Sequence, residues 1–223
     1  MKLAVVVLSG GLDSCVTTAM ALDMGYEVAA LHLNYGQRTE QRELDAFNNI
    51  CDHYGIGKRL IVDISYLKDI GGSSLTDEAL DVEEGEPDKS RIPSTYVPFR
   101  NGNILSIAVS WSEVIRASEI FIGAVEDDSS GYPDCTEAFY SAFNKMLEAG
   151  LPAGTDIKVS APLIHMSKAD IVKKGMELNA PLELTWSCYQ NEILACGVCE
   201  SCRLRLNGFE KAEAEDPIIY EDL

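Results

Sequence analysis

Short apolar runs alternate along the chain with longer segments whose apolar residues recur at helical spacing. The runs predict buried strands at residues 3–8, 28–33, 59–64, 120–123 and 157–160. The segments between and after them predict helices at residues 13–24, 39–54, 103–117, 136–149, 167–178 and 199–212. Apolar strands that alternate with helices of this length are typical of a parallel sheet covered on both faces. The pattern therefore predicts an α/β fold, a doubly wound parallel sheet of about five strands.

The alternation stops over residues 65–98, which contain adjacent glycines, an acidic run at 81–88 and two prolines. Long loops in compact domains are commonly functional or disordered. We interpret 65–98 as a mobile insertion beside the active site; the alternative is a solvated loop without a role. Residues 1–185 then form the main domain, and residues 186–223 a small cysteine-rich appendage that ends in a helix.

Composition narrows the possible partners. The chain has 18 basic and 36 acidic residues, a net charge of −18. Phosphate contacts require Lys and Arg, so this charge argues against direct binding of nucleic acid and favours a small-molecule substrate. The apolar run at 3–8 is too short for a signal peptide, and no run approaches the length of a membrane span. We expect a cytoplasmic protein without a membrane partner.

Four of the seven cysteines lie near the C-terminus, at Cys188, Cys196, Cys199 and Cys202, with seven, two and two residues between them. The odd total and the missing export signal argue against a disulfide framework. Short C-x₂-C links among four cysteines are typical of closed structural zinc sites. We predict one structural Zn²⁺ on these four residues; an iron–sulfur cluster or a thiol-redox function is the alternative.

The first strand leads into Ser-Gly-Gly-Leu-Asp-Ser at residues 9–14, and a helix follows. A glycine pair lets the backbone approach an anion, and the free N–H groups of a helix N-terminus suit phosphate oxygens. Ser9, Ser14 and Thr17 are candidate hydroxyl donors, and Asp13 is a candidate Mg²⁺ ligand. The loop lacks the lysine of a Walker motif and the spacing of a dinucleotide motif. It predicts a nucleotide site; a tight turn is the alternative.

This loop resembles the PP-loop of the ATP-pyrophosphatase superfamily, whose members adenylate an oxygen and release pyrophosphate. Together with the four cysteines, the chain resembles the 7-cyano-7-deazaguanine synthase family (preQ0 synthases, QueC). The matching stretches are residues 8–18, 33–38, 97–101, 130–135, 162–168, 185–189 and 195–206. The chain departs from the family pattern at Phe99, Ser129 and Thr136, which bear on the substrate pocket more than on the reaction.

The resemblance implies the fold of the adenine nucleotide alpha-hydrolase (PP-loop) type and a ligase that forms C–N bonds. The implied reaction converts 7-carboxy-7-deazaguanine and ammonia to 7-cyano-7-deazaguanine (preQ0), a step of queuosine and 7-deazapurine biosynthesis. ATP with Mg²⁺ would activate first the carboxylate and then the amide as adenylates. The resemblance also implies a homodimer.

The implied site residues fall into three groups. The ATP site comprises Leu8, Ser9, Gly10, Gly11, Leu12, Asp13, Ser14, Cys15, Val16, Thr17 and Thr18. Asp13, Arg100 and Lys168 are the catalytic candidates. Lys168 would neutralise phosphate, or is a solvated lysine at a helix start. Arg100 would meet the substrate carboxylate or ATP, or forms an ordinary surface ion pair.

The deazaguanine base presents N1–H and an exocyclic amine, which a carboxylate can accept together. Asp128 and Asp134 are the candidates for this contact, or they are turn residues or helix caps. Tyr132 would stack on the base, or packs in the core. No catalytic role is assigned to the three histidines.

Two other functions fit parts of the pattern. A sibling PP-loop enzyme that thiolates tRNA would need a basic face, which the net charge of −18 disfavours. A zinc-stapled nucleotide-binding module without catalysis is disfavoured by the intact loop.

Overall fold

The computed structural model describes residues 2–77, 79–82, 92–126 and 131–221. The substrate-binding candidate Asp128, the family departure at Ser129 and part of the 65–98 insertion lie outside these residues. Within them, the strands are β1 (Leu3–Val7), β2 (Glu27–Asn34), β3 (Arg59–Asp63), β4 (Glu119–Ile122) and β5 (Lys158–Ser160). The helices are α1 (Leu12–Asp23), α2 (Glu40–His53), α3 (Tyr66–Ile70), α4 (Arg100–Ile115), α5 (Glu137–Gly150), α6 (Lys168–Glu177) and α7 (Glu200–Lys211). Two 3₁₀ turns span Pro133–Cys135 and Leu182–Leu184.

The strands form one sheet in the order β3-β2-β1-β4-β5, and every neighbouring pair is parallel. Successive side chains of a strand point to opposite faces. Val5 and Val7 of β1 therefore join a core under α3, α4 and α5. Ala4 and Val6 join a second core under α1, α2 and α6. Helices cover both faces, and the predicted doubly wound parallel sheet is confirmed.

The predicted elements are all present, with ends that differ by up to three residues. The largest difference is at α4, which begins at Arg100 rather than at residue 103. Its N-cap, Phe99, has φ 54°, a left-handed conformation that bulky residues rarely adopt. Gly102 gives the Phe99 ring room, because an added Cβ there would lie 2.2 Å from a ring carbon. This local strain is invisible to helical periodicity.

Part of the predicted insertion is packed. The sequence indicated no regular element over residues 65–98, yet α3 forms there and buries Leu67 in the core. Leu75 and Val97 join the same core. The Arg38 side chain donates to the carbonyl of Ser74. The mobility of 65–98 remains a prediction.

The C-terminal segment has a core of its own and also closes onto the main domain. Trp186 and the four C-terminal cysteines cluster with Ala46 of α2. Phe209 of α7 packs into the sheet-covering core below α1 and α6. Gly208 permits the approach of α7 to α6, because an added Cβ would meet the Lys168 side chain at 2.5 Å.

A buried ion pair fixes this segment. Arg205 is 1% exposed, and its Nε and Nη2 donate to the two carboxylate oxygens of Asp216 at 2.8 and 2.9 Å. Its Nη1 donates to Thr185 Oγ1 at 2.7 Å. Tyr220 donates its hydroxyl to the same carboxylate. Arg205 thus joins α7 to the chain on both sides of it.

A search of the described residues found no helix with the length and apolar character needed to cross a membrane.

We predict that Arg205→Met lowers the free energy of unfolding by about 3–5 kcal/mol, because it leaves the Asp216 carboxylate buried without its cation. Urea unfolding followed by circular dichroism measures the change. The matched control is Lys174→Ala, which removes an exposed i,i+3 pair with Glu177 and is expected to cost under about 1 kcal/mol. Equal effects of the two variants would contradict this role.

Candidate active site

A cavity of about 280 Å³ opens at the carboxyl ends of the central strands. It lies where the chain order reverses between β1 and β4, the position at which ligands bind in open parallel α/β sheets. Its walls come from the glycine loop after β1, from α2 and α4, and from the C-terminal segment. The polar side chains among its lining residues are Ser9, Asp13, Ser14, Tyr35, Glu43, Arg100, Asn101, Tyr132, Lys168, Ser187, Tyr189, Glu200, Ser201 and Arg205.

The glycine loop needs glycine at Gly10. Its φ is +94°, and an added Cβ would lie 2.6 Å from the carbonyl oxygen of Glu43. Ser14 donates its hydroxyl to the Gly11 carbonyl at 3.0 Å, and the Gly11 N–H donates to Ser9 Oγ at 3.3 Å. These bonds hold the loop against the first turn of α1, whose free N–H groups face an anion.

Gly123, after β4, is a requirement that the sequence motif does not reveal. An added Cβ would lie 2.8 Å from the carbonyl carbon of Asp13 and 2.9 Å from the nitrogen of Ser14. The start of α1 therefore sits directly against the end of β4. An isolated glycine at a strand end is a weak signal in sequence, because turns commonly place glycine there.

The predicted ATP site divides into two halves. Leu8, Ser9, Gly11, Leu12, Asp13 and Ser14 line the cavity. Cys15, Val16, Thr17 and Thr18 do not, since they lie buried under α1. The hydroxyl of Thr17 donates to the Asp13 carbonyl at 2.8 Å, an i−4 helix bond. The prediction that Thr17 offers a hydroxyl to phosphate is therefore corrected.

Lys168 and Asp13 meet at the loop end of the cavity. Lys168 Nζ donates to both carboxylate oxygens of Asp13, at 2.9 and 2.8 Å. Lys168 starts α6 after a capping box formed by Ser167 and Asp170. Two of the three catalytic candidates thus form one ion pair with side chains 15% and 27% exposed. The alternative of a solvated helix-start lysine is wrong.

Arg100, the third catalytic candidate, is half-buried at the opposite wall. Its Nη1 donates to the Tyr35 hydroxyl at 3.0 Å, and its guanidinium carbon lies 5.0 Å from the centre of the Tyr35 ring. Within the described part of the chain it forms no ion pair with a carboxylate. Tyr132 and Tyr189 line the same part of the cavity. A cation among tyrosines, without a protein anion, is suited to an anionic ligand.

Of the base-binding candidates, Tyr132 lines the cavity and Asp134 does not. The Asp134 carboxylate accepts from the backbone N–H of Asn101 at 2.8 Å and is 3% exposed. It thereby ties the 3₁₀ turn before α5 to the start of α4. The cap of α5 is Thr136, whose hydroxyl accepts from the Phe139 N–H. Asp134 supports the scaffold, and its predicted contact with a base is corrected.

Glu43 and Glu200 are cavity-lining carboxylates that the sequence reading missed. Burial raises the pKa of Glu43 to about 7, although the hydrogen bond from Thr39 opposes the shift. Glu200 is 4% exposed and accepts from Thr95, which in turn accepts from the Tyr132 hydroxyl. Both residues stand on helices without a motif of their own, so only the tertiary structure brings them to the cavity.

The four C-terminal cysteines come together as predicted. Their sulfur atoms all lie within 4.8 Å of one another, and all four residues are buried. Four sulfurs around one Zn²⁺ at the usual bond length would be about 3.8 Å apart, and Cys196 Sγ lies 3.9 Å from Cys202 Sγ. The cluster could hold a metal ion.

Backbone donors further favour thiolates in this cluster. The N–H groups of Gln190, Asn191 and Cys196 point at Cys188 Sγ at 3.3–3.4 Å. Hydrogen bonds from the neighbouring thiols and from these amides hold the pKa of Cys188 well below its ordinary value. Gly197, with φ +71°, provides the turn between Cys196 and Cys199. This donor set fits a soft divalent cation.

Replacement of Gly123 by Ala should disturb the glycine loop, because the new Cβ meets the backbone of Asp13 and Ser14. We expect a loss of more than about 1 kcal/mol in unfolding free energy and weaker ATP binding by calorimetry. The control is Gly57→Ala, where an added Cβ meets nothing within 4 Å. An ATP affinity of Gly123→Ala equal to that of the control would refute this close contact.

Glu43 makes stability depend on pH. Its folded pKa of about 7 exceeds the model-peptide value of 4.5, so the folded state favours the protonated form and stability falls as pH rises from 4.5 through 7. We expect Glu43→Gln to be more stable than the parent chain by about 1–3 kcal/mol at pH 8, a gain that shrinks towards pH 5. Unfolding in urea across this pH range is the measurement. Asp45→Asn, at an exposed site of α2, should show no such trend; a Glu43→Gln gain that is constant with pH would contradict the burial of this carboxyl.

Comparison with known proteins identifies the family. The family described as "Queuosine biosynthesis protein QueC" matches residues 3–213. The "7-cyano-7-deazaguanine synthase" of Chlorobium phaeobacteroides (strain DSM 266 / SMG 266 / 2430) is 58% identical over 98% of this chain and 96% of its own length. The enzymes of the same name from Chlorobaculum parvum and Chloroherpeton thalassium are 58% and 57% identical over the same shares.

Solved structures share the fold at lower identity. The protein titled "Crystal structure of a 4-thiouridine synthetase - RNA complex with bound ATP" superposes with a TM-score of 0.55 at 18% identity. The match covers 98% of this chain and 47% of that chain. Because the identity is low, this likeness bears on the fold alone. The matched family and the near full-length relatives together establish that this chain belongs to the QueC family of queuosine biosynthesis proteins.

Proposed function

We propose that this protein is a 7-cyano-7-deazaguanine synthase that uses ATP to convert 7-carboxy-7-deazaguanine and ammonia to the nitrile. The observation that carries the proposal is the composition of one cavity. It combines a phosphate-type glycine loop and Lys168 at one end with Arg100 among three tyrosines at the other. Relatives at 58% identity over nearly the full length bear the name of this activity.

The chemistry explains why the loop is needed. A carboxylate is a poor electrophile, and ammonia cannot displace oxide from it. Attack of a carboxylate oxygen on the α-phosphorus of ATP releases pyrophosphate and converts that oxygen into part of AMP, a good leaving group. Ammonia then adds to the carbonyl carbon, AMP departs and a proton is lost, which gives the primary amide.

The amide passes through the same site again. Its oxygen attacks a second ATP, pyrophosphate leaves, and elimination of AMP with loss of the remaining N–H protons gives the nitrile. Each product molecule therefore consumes two ATP and one ammonia. The protein contributes positioning and charge neutralisation rather than a nucleophile of its own.

Lys168 and the first N–H groups of α1 are proposed to hold the pyrophosphate. Asp13 would hold Mg²⁺, which would supply charge neutralisation on the phosphates. Each Asp13 oxygen accepts one bond from Lys168 and keeps a second lone pair, so a cation fits beside the pair. Ser9 and Ser14 are proposed as hydroxyl donors to the same phosphates.

Arg100 is proposed to orient the substrate carboxylate. Its contact with Tyr35 fixes the guanidinium, and the absence of a described ion pair leaves its charge available to a ligand. Tyr132 is proposed to line the base-binding end. Asp128, which lies outside the described residues, keeps its predicted role as a base contact.

One Zn²⁺ on Cys188, Cys196, Cys199 and Cys202 is proposed as a structural ion. The donor set supports it, because all four sulfurs are buried and mutually close and no fifth position is left for a substrate. When bound, the ion would hold the segment that carries the cavity-lining residues Ser187, Tyr189 and Glu200. A cytoplasmic location, a homodimer and free ammonia as the nitrogen donor complete the proposal.

The direct test of the proposed function incubates metal-loaded protein with 7-carboxy-7-deazaguanine, ammonium, Mg²⁺ and ATP. Mass spectrometry should detect the amide and then the nitrile, with AMP and pyrophosphate as the nucleotide products. Failure to form amide or nitrile would sink the proposal. Formation of ADP and phosphate would contradict adenylation.

Arg100→Met should lower kcat/KM for the carboxylate substrate by on the order of 100-fold, since a desolvated charged contact is lost. Arg100→Lys should recover part of this loss, and the KM for ATP should change little. Steady-state assays with each substrate varied in turn separate these effects. The exposed Arg203→Met serves as the control. If the loss falls on ATP instead, Arg100 serves the nucleotide.

Elemental analysis should find about one zinc per chain. Cys196→Ser should lose most of that zinc and much of its affinity for the substrate, because the metal-binding segment lines the cavity. Cys51→Ala removes a buried thiol elsewhere and should keep its zinc. Iron in the purified protein, or full zinc in Cys196→Ser, would overturn the assignment.

A further inference from the structure

Resting on the proposed function, we infer that Glu43 is the specificity-determining carboxylate that accepts hydrogen bonds from N1–H and the exocyclic amine of the substrate base. The cavity has few acidic side chains to choose from. Among the described residues, the carboxylates that line it are Asp13, Glu43 and Glu200. The base has to bind in this cavity if its 7-carboxylate is to reach the nucleotide.

Two of the three carboxylates are occupied. Asp13 accepts two bonds from Lys168 at the phosphate end. Glu200 is 4% exposed and is held by Thr95 and by further interactions. Glu43 differs, since it is half-buried in the first turn of α2 and faces the cavity between the glycine loop and the tyrosine wall.

The carboxylate of Glu43 is held in one orientation. Its Oε1 accepts from Thr39 Oγ1 at 2.9 Å, and its Oε2 accepts from Gln37 Nε2 at 3.3 Å. The Gln37 amide is itself oriented, because its Oε1 accepts from the Tyr35 N–H at 2.8 Å. Each Glu43 oxygen has one protein donor and retains one lone pair.

Two free lone pairs on one carboxylate form a fork. The N1–H and the exocyclic N–H of a 7-deazaguanine are parallel donors at the spacing that such a fork accepts, as in bidentate recognition of other paired donors. No basic side chain forms an ion pair with Glu43 in the described part of the chain. A ligand that brings two N–H donors therefore satisfies acceptors that the protein leaves open.

The scaffold also ties Glu43 to the reaction site. Its carbonyl oxygen packs against Gly10 at the distance that forbids a side chain there. The fork is therefore fixed relative to the loop that would hold the pyrophosphate. Arg100, on the far wall, would engage the carboxylate of the same base, so recognition and activation occur at opposite ends of one rigid ligand.

The test measures binding of the metal-loaded full chain by calorimetry, with Mg-ATP and with two bases. The bases are 7-carboxy-7-deazaguanine and its analogue without the 2-amino group. For Glu43→Gln we expect a loss on the order of 10- to 100-fold in affinity for the guanine-type base. The affinity for Mg-ATP should stay within about twofold, which also reports that the variant is folded. Asp45→Asn on the same helix should bind both ligands as the parent chain does.

The analogue supplies the decisive comparison. The parent chain should bind it as weakly as Glu43→Gln binds the complete base, and Glu43→Gln should weaken it by no more than about threefold further, since both changes remove the same contact. Losses that multiply independently, or an unchanged affinity of Glu43→Gln for the base, would overturn the inference alone. A Glu43→Gln loss confined to Mg-ATP would also overturn it and assign Glu43 to the adenine. No binding of either base by the parent chain would overturn the proposed function as well.

Discussion

The backbone of Gly10 touches two distant parts of the chain, and the site depends on that contact. Its α-carbon packs against the Glu43 carbonyl of α2, and its own carbonyl accepts from the N–H of Trp186 at 2.9 Å. The next turn of the loop lies against Gly123 at the end of β4. A side chain at either glycine would push apart the surfaces that enclose the cavity. The loop is thus a packing centre as well as an anion site, and it brings α2 and the C-terminal segment to the same place.

The C-terminal segment has a larger part in the site than a staple would. Tyr189 follows Cys188, and Glu200 follows Cys199, so two cavity-lining side chains are direct neighbours of cluster cysteines. Arg205, one turn beyond, lines the cavity while it binds Asp216. Metal binding would stabilise this wall and the fold together, because a closed four-cysteine site couples ligand geometry to chain geometry.

Local patterns predicted the strands, the helices, the glycine loop and the cysteine cluster, because each depends on neighbours in sequence. They failed where the partner is distant. Asp134 lies in a motif-like stretch but faces the Asn101 backbone, and Thr17 lies in the loop motif but bonds back along its own helix. Glu43 carries no sequence signal, since its role arises from the approach of α2 to Gly10. The strained start of α4 at Phe99 depends on the space above Gly102, which periodicity does not encode.

The central claim is that ATP activates both oxygens of the substrate carboxylate in turn at the glycine loop. The most direct measurement follows ¹⁸O from a doubly labelled 7-carboxy-7-deazaguanine during turnover with ATP and ammonium. The account predicts that both labels appear in AMP, one in each of the two AMP molecules formed per nitrile, because each oxygen leaves bonded to an α-phosphorus. Label in inorganic phosphate, or label lost to water with unlabelled AMP, would contradict it.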